Sequence, residues 1–227
     1  MWSKTLSKYK KFTLYNYMIY ISFDIGIKNL ALCILRHEND TLSIIDWRII
    51  TLADSKKQIK GVDKISEVLY YELDNIIGTL QGINENLIHS VIIENQPSNL
   101  NGIMKTIQML IYSYFNLLKH WDKTVSEVVL INAVHKLQNH SYVPQSKQEP
   151  HQSNVSKRDK YKLNKADSIE ICRNYCKDDT FLTTYFNAHK KKDDLADTCI
   201  QTISYLRKQG YNIEYVSLDV RALISLE

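Results

Sequence analysis

The spacing of apolar and polar positions changes several times along this chain, and each change marks an element. Residues 18–23 form a short apolar run that stops at Asp24; residues 30–35 form a second, and residues 42–50 alternate. These are strand patterns. The links between them are short and turn-like, Asp24 through Asn29 and then His37-Glu38-Asn39-Asp40, which predicts an antiparallel meander. The period then shifts. Val62, Ile65, Leu69, Leu73, Ile76 and Leu80 step by three and four, the signature of an amphipathic helix. Residues 88–93 read as a compact strand ending in Glu94. Leu100, Ile103, Met104, Ile107, Leu110, Ile111, Tyr114 and Leu118 form a helical stripe broad enough to bury on two sides, against the sheet and against a second subunit. Residues 127–131 are a fifth strand. From 140 to about 161 the chain is polar, carries Pro144 and Pro150, and is expected to loop. Helices are predicted over 165–177 and 193–208. The order β-β-β-α-β-α-β-α-α describes one α/β domain with a five-stranded mixed sheet flanked by helices.

The last predicted helix carries the most informative residues. Lys190-Lys191-Lys192 runs straight into Asp193-Asp194-Leu195-Ala196-Asp197. Asp194 and Asp197 are three apart and share a helical face, while Leu195, Cys199, Ile203 and Leu206 fall on the other side. Such a helix buries one face and aims two carboxylates the other way. Like charges at that spacing repel unless a cation lies between them. If strands one and four are neighbours, Asp24 and Glu94 emerge at the same sheet edge, where the helix delivers its acids. Asp193 is expected to complement the helix dipole from the first turn.

Four carboxylates from three distant segments suit hard divalent cations, Mg²⁺ with Mn²⁺ as substitute. Two ions roughly 3.5–4 Å apart serve in-line phosphodiester hydrolysis. Asp24 is then expected to bridge both ions, with Glu94 and the Asp194/Asp197 pair holding one each. Gly26 lets the chain turn tightly after Asp24.

Charge and composition narrow the picture. The net charge of +4 over 227 residues is uneven. Residues 1–17 hold Lys4, Lys8, Lys10 and Lys11 and no acid, so the remainder sums to zero. Residues 135–192 carry 12 Lys and Arg against 6 Asp and Glu, a basic stretch beside an acidic pocket. That suits a nucleic-acid enzyme better than a protein that coats DNA. The basic segment 1–17 precedes a second methionine, Met18, and is expected to be a disordered extension or a targeting segment, with the domain proper over 18–227. No apolar run reaches the roughly 18 residues of a membrane span. Cys33, Cys172, Cys176 and Cys199 lack the paired spacing of a zinc site and read as buried thiols in a reducing compartment.

Three blocks, Asp24-Ile25-Gly26-Ile27-Lys28-Asn29-Leu30-Ala31, Ile93-Glu94-Asn95-Gln96 and Lys191-Lys192-Asp193-Asp194-Leu195-Ala196-Asp197, resemble the signatures of Holliday junction resolvases. The similarity is to those of poxviruses, iridoviruses and fungal mitochondria, relatives of bacterial RuvC, and it runs from about Met18 to Leu206. It implies a ribonuclease H-like fold and a homodimeric, Mg²⁺-dependent endonuclease that nicks four-way DNA junctions symmetrically. It also implies work inside the cell, at a viral replication site or in a mitochondrion. Catalytic roles are implied for Asp24, Glu94, Asp194 and Asp197, and for a lysine after the fifth strand, which Ile131-Asn132-Ala133-Val134-His135-Lys136-Leu137 assigns to Lys136. DNA contacts are implied for Gln96, Lys157, Arg158, Lys160, Lys162, Lys165, Lys191 and Lys192. Asn29 is expected to support the first turn.

Other readings share parts of this pattern. Actin-like ATPases and sugar kinases also open on Asp-x-Gly, but they need glycine-rich phosphate loops, and this chain has six glycines and no Gly-x-Gly. A nuclease acting on RNA–DNA hybrids or other branched DNA would use the same acids. A junction-binding protein without catalysis would be expected to lack one of them.

Overall fold

A computed structural model describes residues 17–53, 61–83, 87–97, 102–144, 146 and 156–219. The expected extension 1–17 lies outside these except for Tyr17, as does the centre of the expected loop, 147–155.

The sheet is built from β1 (Tyr17–Asp24), β2 (Leu30–Glu38), β3 (Thr41–Ile50), β4 (Ile88–Glu94), β5 (Val125–Ile131) and β6 (Val216–Leu218). The helices are α1 (Val62–Gly82), α2 (Gly102–Trp121), α3 (Lys157–Cys176), α4 (Thr180–Ala188) and α5 (Lys192–Lys208), with a 3₁₀ turn at Ala133–Leu137. Strand order is β5-β4-β1-β2-β3-β6. The meander is antiparallel, and β1 lies parallel to β4, which lies parallel to β5. Strands one and four are therefore neighbours, as the site requires.

Side-chain alternation then decides which face each acid takes. Ile19, Ile21 and Phe23 of β1 join Val91 and Ile93 of β4 in a core under α1 and α2. Tyr20 and Ile92 face the opposite core with α3, α4 and α5. Asp24 and Glu94 have the parity of Tyr20 and Ile92, so both point to the α5 side. Leu195, Cys199, Ile203 and Leu206 are fully buried on α5. Burial contributes roughly 1.5–3 kcal/mol for each large aliphatic side chain. The apolar face therefore anchors α5, and its carboxylates are free for other work.

Several expectations need correction. Among the described residues the sheet has six strands rather than five; three-residue β6 pairs with β3 and is too short to show an alternation. Next to it a buried ion pair joins Arg36 to Asp219. α3 begins at Lys157, within the expected loop, because Ser156 accepts a hydrogen bond from the Asp159 N–H. Ser156-x-x-Asp159 is a capping pattern that could have been read from sequence. α4 was not expected; Asp179 caps it by accepting from the Leu182 N–H at 2.9 Å. α5 is buried round most of its circumference rather than on one face, because α3 and the 3₁₀ turn cover the side away from the sheet. The α2 stripe packs as expected from Ile103 to Leu118, with Met104, Leu110 and Tyr114 half-buried against the core. Ile107, Gln108, Ile111 and Phe115 are buried, while Met109, Leu117 and Trp121 are exposed.

The four cysteines are free and buried and meet in one core, with Cys199 in hydrogen-bonding reach of Cys33, Cys172 and Cys176.

His37 is 4% exposed, and neither ring nitrogen has a hydrogen-bond partner among the described residues. Burial holds its pKa below the ordinary histidine value of 6.5. The unfolded chain therefore takes up a proton that the folded one resists. Proton uptake by the unfolded chain costs the fold nothing above about pH 6.5, and that penalty grows as pH falls below this value. His37→Phe should accordingly gain stability relative to the parent protein between pH 6.5 and 5 and not between pH 7 and 8. Denaturant midpoints at each pH measure the gap, and a constant gap would show that His37 is not the titrating group.

Candidate active site

Asp24 and Glu94 terminate adjacent parallel strands, in register through Phe23 and Ile93. The turn after Asp24 needs a glycine: a Cβ on Gly26 would lie 2.3 Å from the Asn29 carbonyl oxygen. That loop is tied down where Ile27 O accepts from the Leu52 N–H at 3.0 Å. Asp194 and Asp197 come down from the first turns of α5. Trp47 Nε1 donates to Leu195 O at 3.0 Å, which pins that end of the helix to β3.

Lys136 is central. It leaves the 3₁₀ turn after β5, which α5 holds through Ser204 Oγ donating to His135 O at 2.6 Å and Gln138 O at 3.0 Å. Its ammonium lies 2.8 Å from Asp197 Oδ2, 3.1 Å from Glu94 Oε2 and 3.6 Å from Asp24 Oδ1. The residue is 6% exposed. Lys165 from α3 pairs with Asp193 and lies 3.7 Å from Asp194 Oδ1.

These charges are poorly solvated and unequal in number. Burial raises the Asp24 carboxyl well above the usual carboxylate range; Lys136 opposes this and Glu94 adds to it. Burial also raises Asp197 against the pull of Lys136. Asp194 is pushed up to about 6 by burial and by Asp193, with Lys165 opposing. Burial works against the Lys136 ammonium, but Asp24, Asp197 and Glu94 outweigh it and raise its pKa. One ammonium among three carboxylates leaves net negative charge in a low-dielectric place, and that attracts cations.

A cleft of about 410 Å³ opens over this cluster and is lined by Asp24, Glu94, Lys136, Asp194 and Asp197 together with Gln96, Asn29 and Lys165. The five expected catalytic residues thus come together in one place. Among the expected DNA contacts, Gln96 and Lys165 line the cleft, and Lys165 is ion-paired with Asp193. Arg158, Lys160 and Lys162 are exposed along the first turns of α3. Lys191 is exposed and Lys192 half-buried at the start of α5. The side chain of Lys157 lies outside the described residues.

No protein-family model matches the sequence. Over 120 residues the chain is 30% identical to an uncharacterized protein of Acanthamoeba polyphaga mimivirus, a stretch covering 52% of this chain. The chain spans only 29% of that curated relative. Solved structures are more informative. The yeast mitochondrial Holliday junction resolvase matches with a TM-score of 0.55 at 14% identity, over 92% of this chain and 88% of its own. RuvC of Thermus thermophilus in complex with a Holliday junction substrate matches with a TM-score of 0.51 at 10% identity, over 84% and 96%. The same RuvC in a second structure matches with a TM-score of 0.51 at 11% identity, over 86% and 98%.

The fold is that of RuvC. On this RuvC-like frame the acids sit at the ends of two central strands and on the helix that crosses them. Their oxygen donors suit Mg²⁺ or Mn²⁺ rather than a soft metal. Among the described residues no three His, Cys, Asp or Glu side chains stand ready around a common ion position. The contacts of Lys136 give the reason, since its ammonium lies against the same oxygens. Donor chemistry therefore fits a divalent cation, provided that Lys136 turns aside.

Sequence reasoning missed the groups that hold this site from behind. Gln108 is fully buried on α2, and its Oε1 accepts from the Gln96 N–H at 2.7 Å and from Lys105 Nζ at 3.2 Å. Lys105 also donates to Asn95 Oδ1 at 3.2 Å. A polar residue inside an apolar helical stripe was the available signal for Gln108.

Proposed function

We propose that this protein is a divalent-metal-dependent, structure-selective endonuclease that resolves four-way DNA junctions by paired nicks. The observation that carries the reading is the convergence of Asp24, Glu94 and Asp197 around Lys136, with Asp194 beside them, at one cleft of a RuvC-like fold. The neighbours named for Holliday junction resolution cover most of both chains, which supports junction DNA as the substrate.

In this reading Asp24, Glu94, Asp194 and Asp197 would hold the divalent ions. Bound Mg²⁺ supplies Lewis acidity for in-line hydrolysis of a phosphodiester. Lys136, turned aside from the carboxylate oxygens, would place its positive charge beside the scissile phosphate as negative charge develops there. Gln96 orients the strand at the rim of the cleft. Arg158, Lys160, Lys162, Lys191 and Lys192 neutralise phosphates away from the cut, a salt-sensitive and sequence-independent term. A homodimer supplies two sites for the two opposed strands of a junction. The exposed Met109, Leu117 and Trp121 of α2 suit such an interface. Among the described residues no helix is long and apolar enough to cross a membrane. A mitochondrial neighbour and a viral relative are both consistent with work in a mitochondrion or at a viral replication site.

The test is cleavage of a labelled four-way junction with Mg²⁺ and with excess chelator, beside linear duplex and RNA–DNA hybrid. Paired symmetric nicks in the junction alone, lost in chelator, are expected. Cleavage of the hybrid alone would move the activity to ribonuclease H-type processing. Junction binding with no cleavage under any metal would leave a binding protein.

A further inference from the structure

We propose that Gln201 is a positioning residue that sets the spacing of the metal-binding carboxylates; the inference rests on the metal-dependent reading above. Gln201 is 1% exposed. Its Nε2 lies 3.0 Å from Ser22 Oγ, 3.4 Å from Phe23 O and 3.5 Å from Ile92 O. Phe23 directly precedes Asp24, and Ile92 lies two residues before Glu94. Gln201 also follows Asp197 by four and Asp194 by seven, so it lies on the same face of α5 as both. One carboxamide therefore joins the three segments that carry all four acids.

The chemistry of the side chain matters at this point. The group must donate to oxygens of two strands, so Glu or Met would fail. It must also be neutral, because a charge buried here would disturb an already crowded acidic cluster. Its other end has a cost: Gln201 Oε1 is buried with no hydrogen-bond partner among the described residues. A side chain chosen only for stability would not leave an acceptor unpaired. Placement of the strand ends against α5 accounts for a residue that packing alone would replace.

This separates positioning from ordinary packing. Gln201→Met keeps length and volume, removes the donor and also removes the unpaired oxygen. The full chain carrying it should melt within about 2 °C of the parent. Its affinity for Mn²⁺, measured by calorimetry without DNA, should fall roughly 10- to 100-fold, the usual effect of losing a group that orients metal ligands. Thr202→Val is the control: Thr202 is also buried on α5, but among the described residues its hydroxyl bonds within the helix, to Thr198 O at 3.4 Å. It should leave Mn²⁺ affinity unchanged. Parental affinity in Gln201→Met would overturn the inference while leaving the metal reading intact. A parent protein that binds no Mn²⁺ would overturn both. If Gln201→Met does not fold, Ser22→Ala decides, since it removes the nearest acceptor without touching α5; weaker Mn²⁺ binding supports positioning, and unchanged binding rejects it.

Discussion

Asp24→Asn is expected to lower junction cleavage by on the order of 10³-fold or more while leaving junction binding nearly intact. Asparagine keeps the shape but removes the charge that two ions would share. The sign of the accompanying stability change is a separate check. Burial raises the Asp24 pKa in the folded protein despite Lys136, so the ionised carboxylate is disfavoured there. A carboxyl raised by folding weakens the fold above its unfolded pKa, near 3.8, and stops doing so as pH falls through that range. Asparagine removes this penalty. In chelator at pH 7 the variant should melt at or above the parent temperature. A variant that is both inactive and much less stable would mark Asp24 as a structural residue. Gel-shift binding, cleavage rate and a thermal melt on one preparation separate these cases.

Lys136→Met should have the opposite effect on stability. Its ammonium is the shared partner of Asp24, Glu94 and Asp197. Removing one member of a buried ion cluster costs about 3–5 kcal/mol because the remaining charges are left uncompensated. In a chain of this length that is on the order of 10 °C in melting temperature. The loss should be nearly flat between pH 7 and 9. The folded pKa of Lys136 is raised, so its contribution is fully present below the unfolded value near 10.5 and fades only above it. Millimolar Mn²⁺ should restore much of the stability, since a divalent ion can take over as the shared cation. Cleavage should stay roughly 10²- to 10³-fold down, because the ion does not replace a charge held beside the phosphate. Loss of stability that Mn²⁺ leaves untouched would argue that these carboxylates do not form a metal site.

Much of this was legible from residue order. The apolar run ending at Asp24, the second ending at Glu94 and the Asp194-x-x-Asp197 step define three anchors, because period two and period 3.6 fix which way each side chain points. The same patterns announced β1–β5, α1, α2 and α5, since each buries an apolar stripe that repeats at its own period. Elements held by polar detail were harder to see. β6 is too short to alternate, α3 starts on a charged segment behind a serine cap, and α4 is a brief helix capped by Asp179.

Sequence alone determined that Asp24 and Glu94 end strands and that Asp194 and Asp197 share one helix face, since those facts depend on local periodicity and side-chain type. Only the tertiary structure decided how the charges balance. Lys136 meets three carboxylates, Lys165 is drawn onto Asp193, and Gln201 joins β1, β4 and α5. Those contacts join residues 28 to 179 positions apart. They arise from how layers stack, which no local pattern encodes.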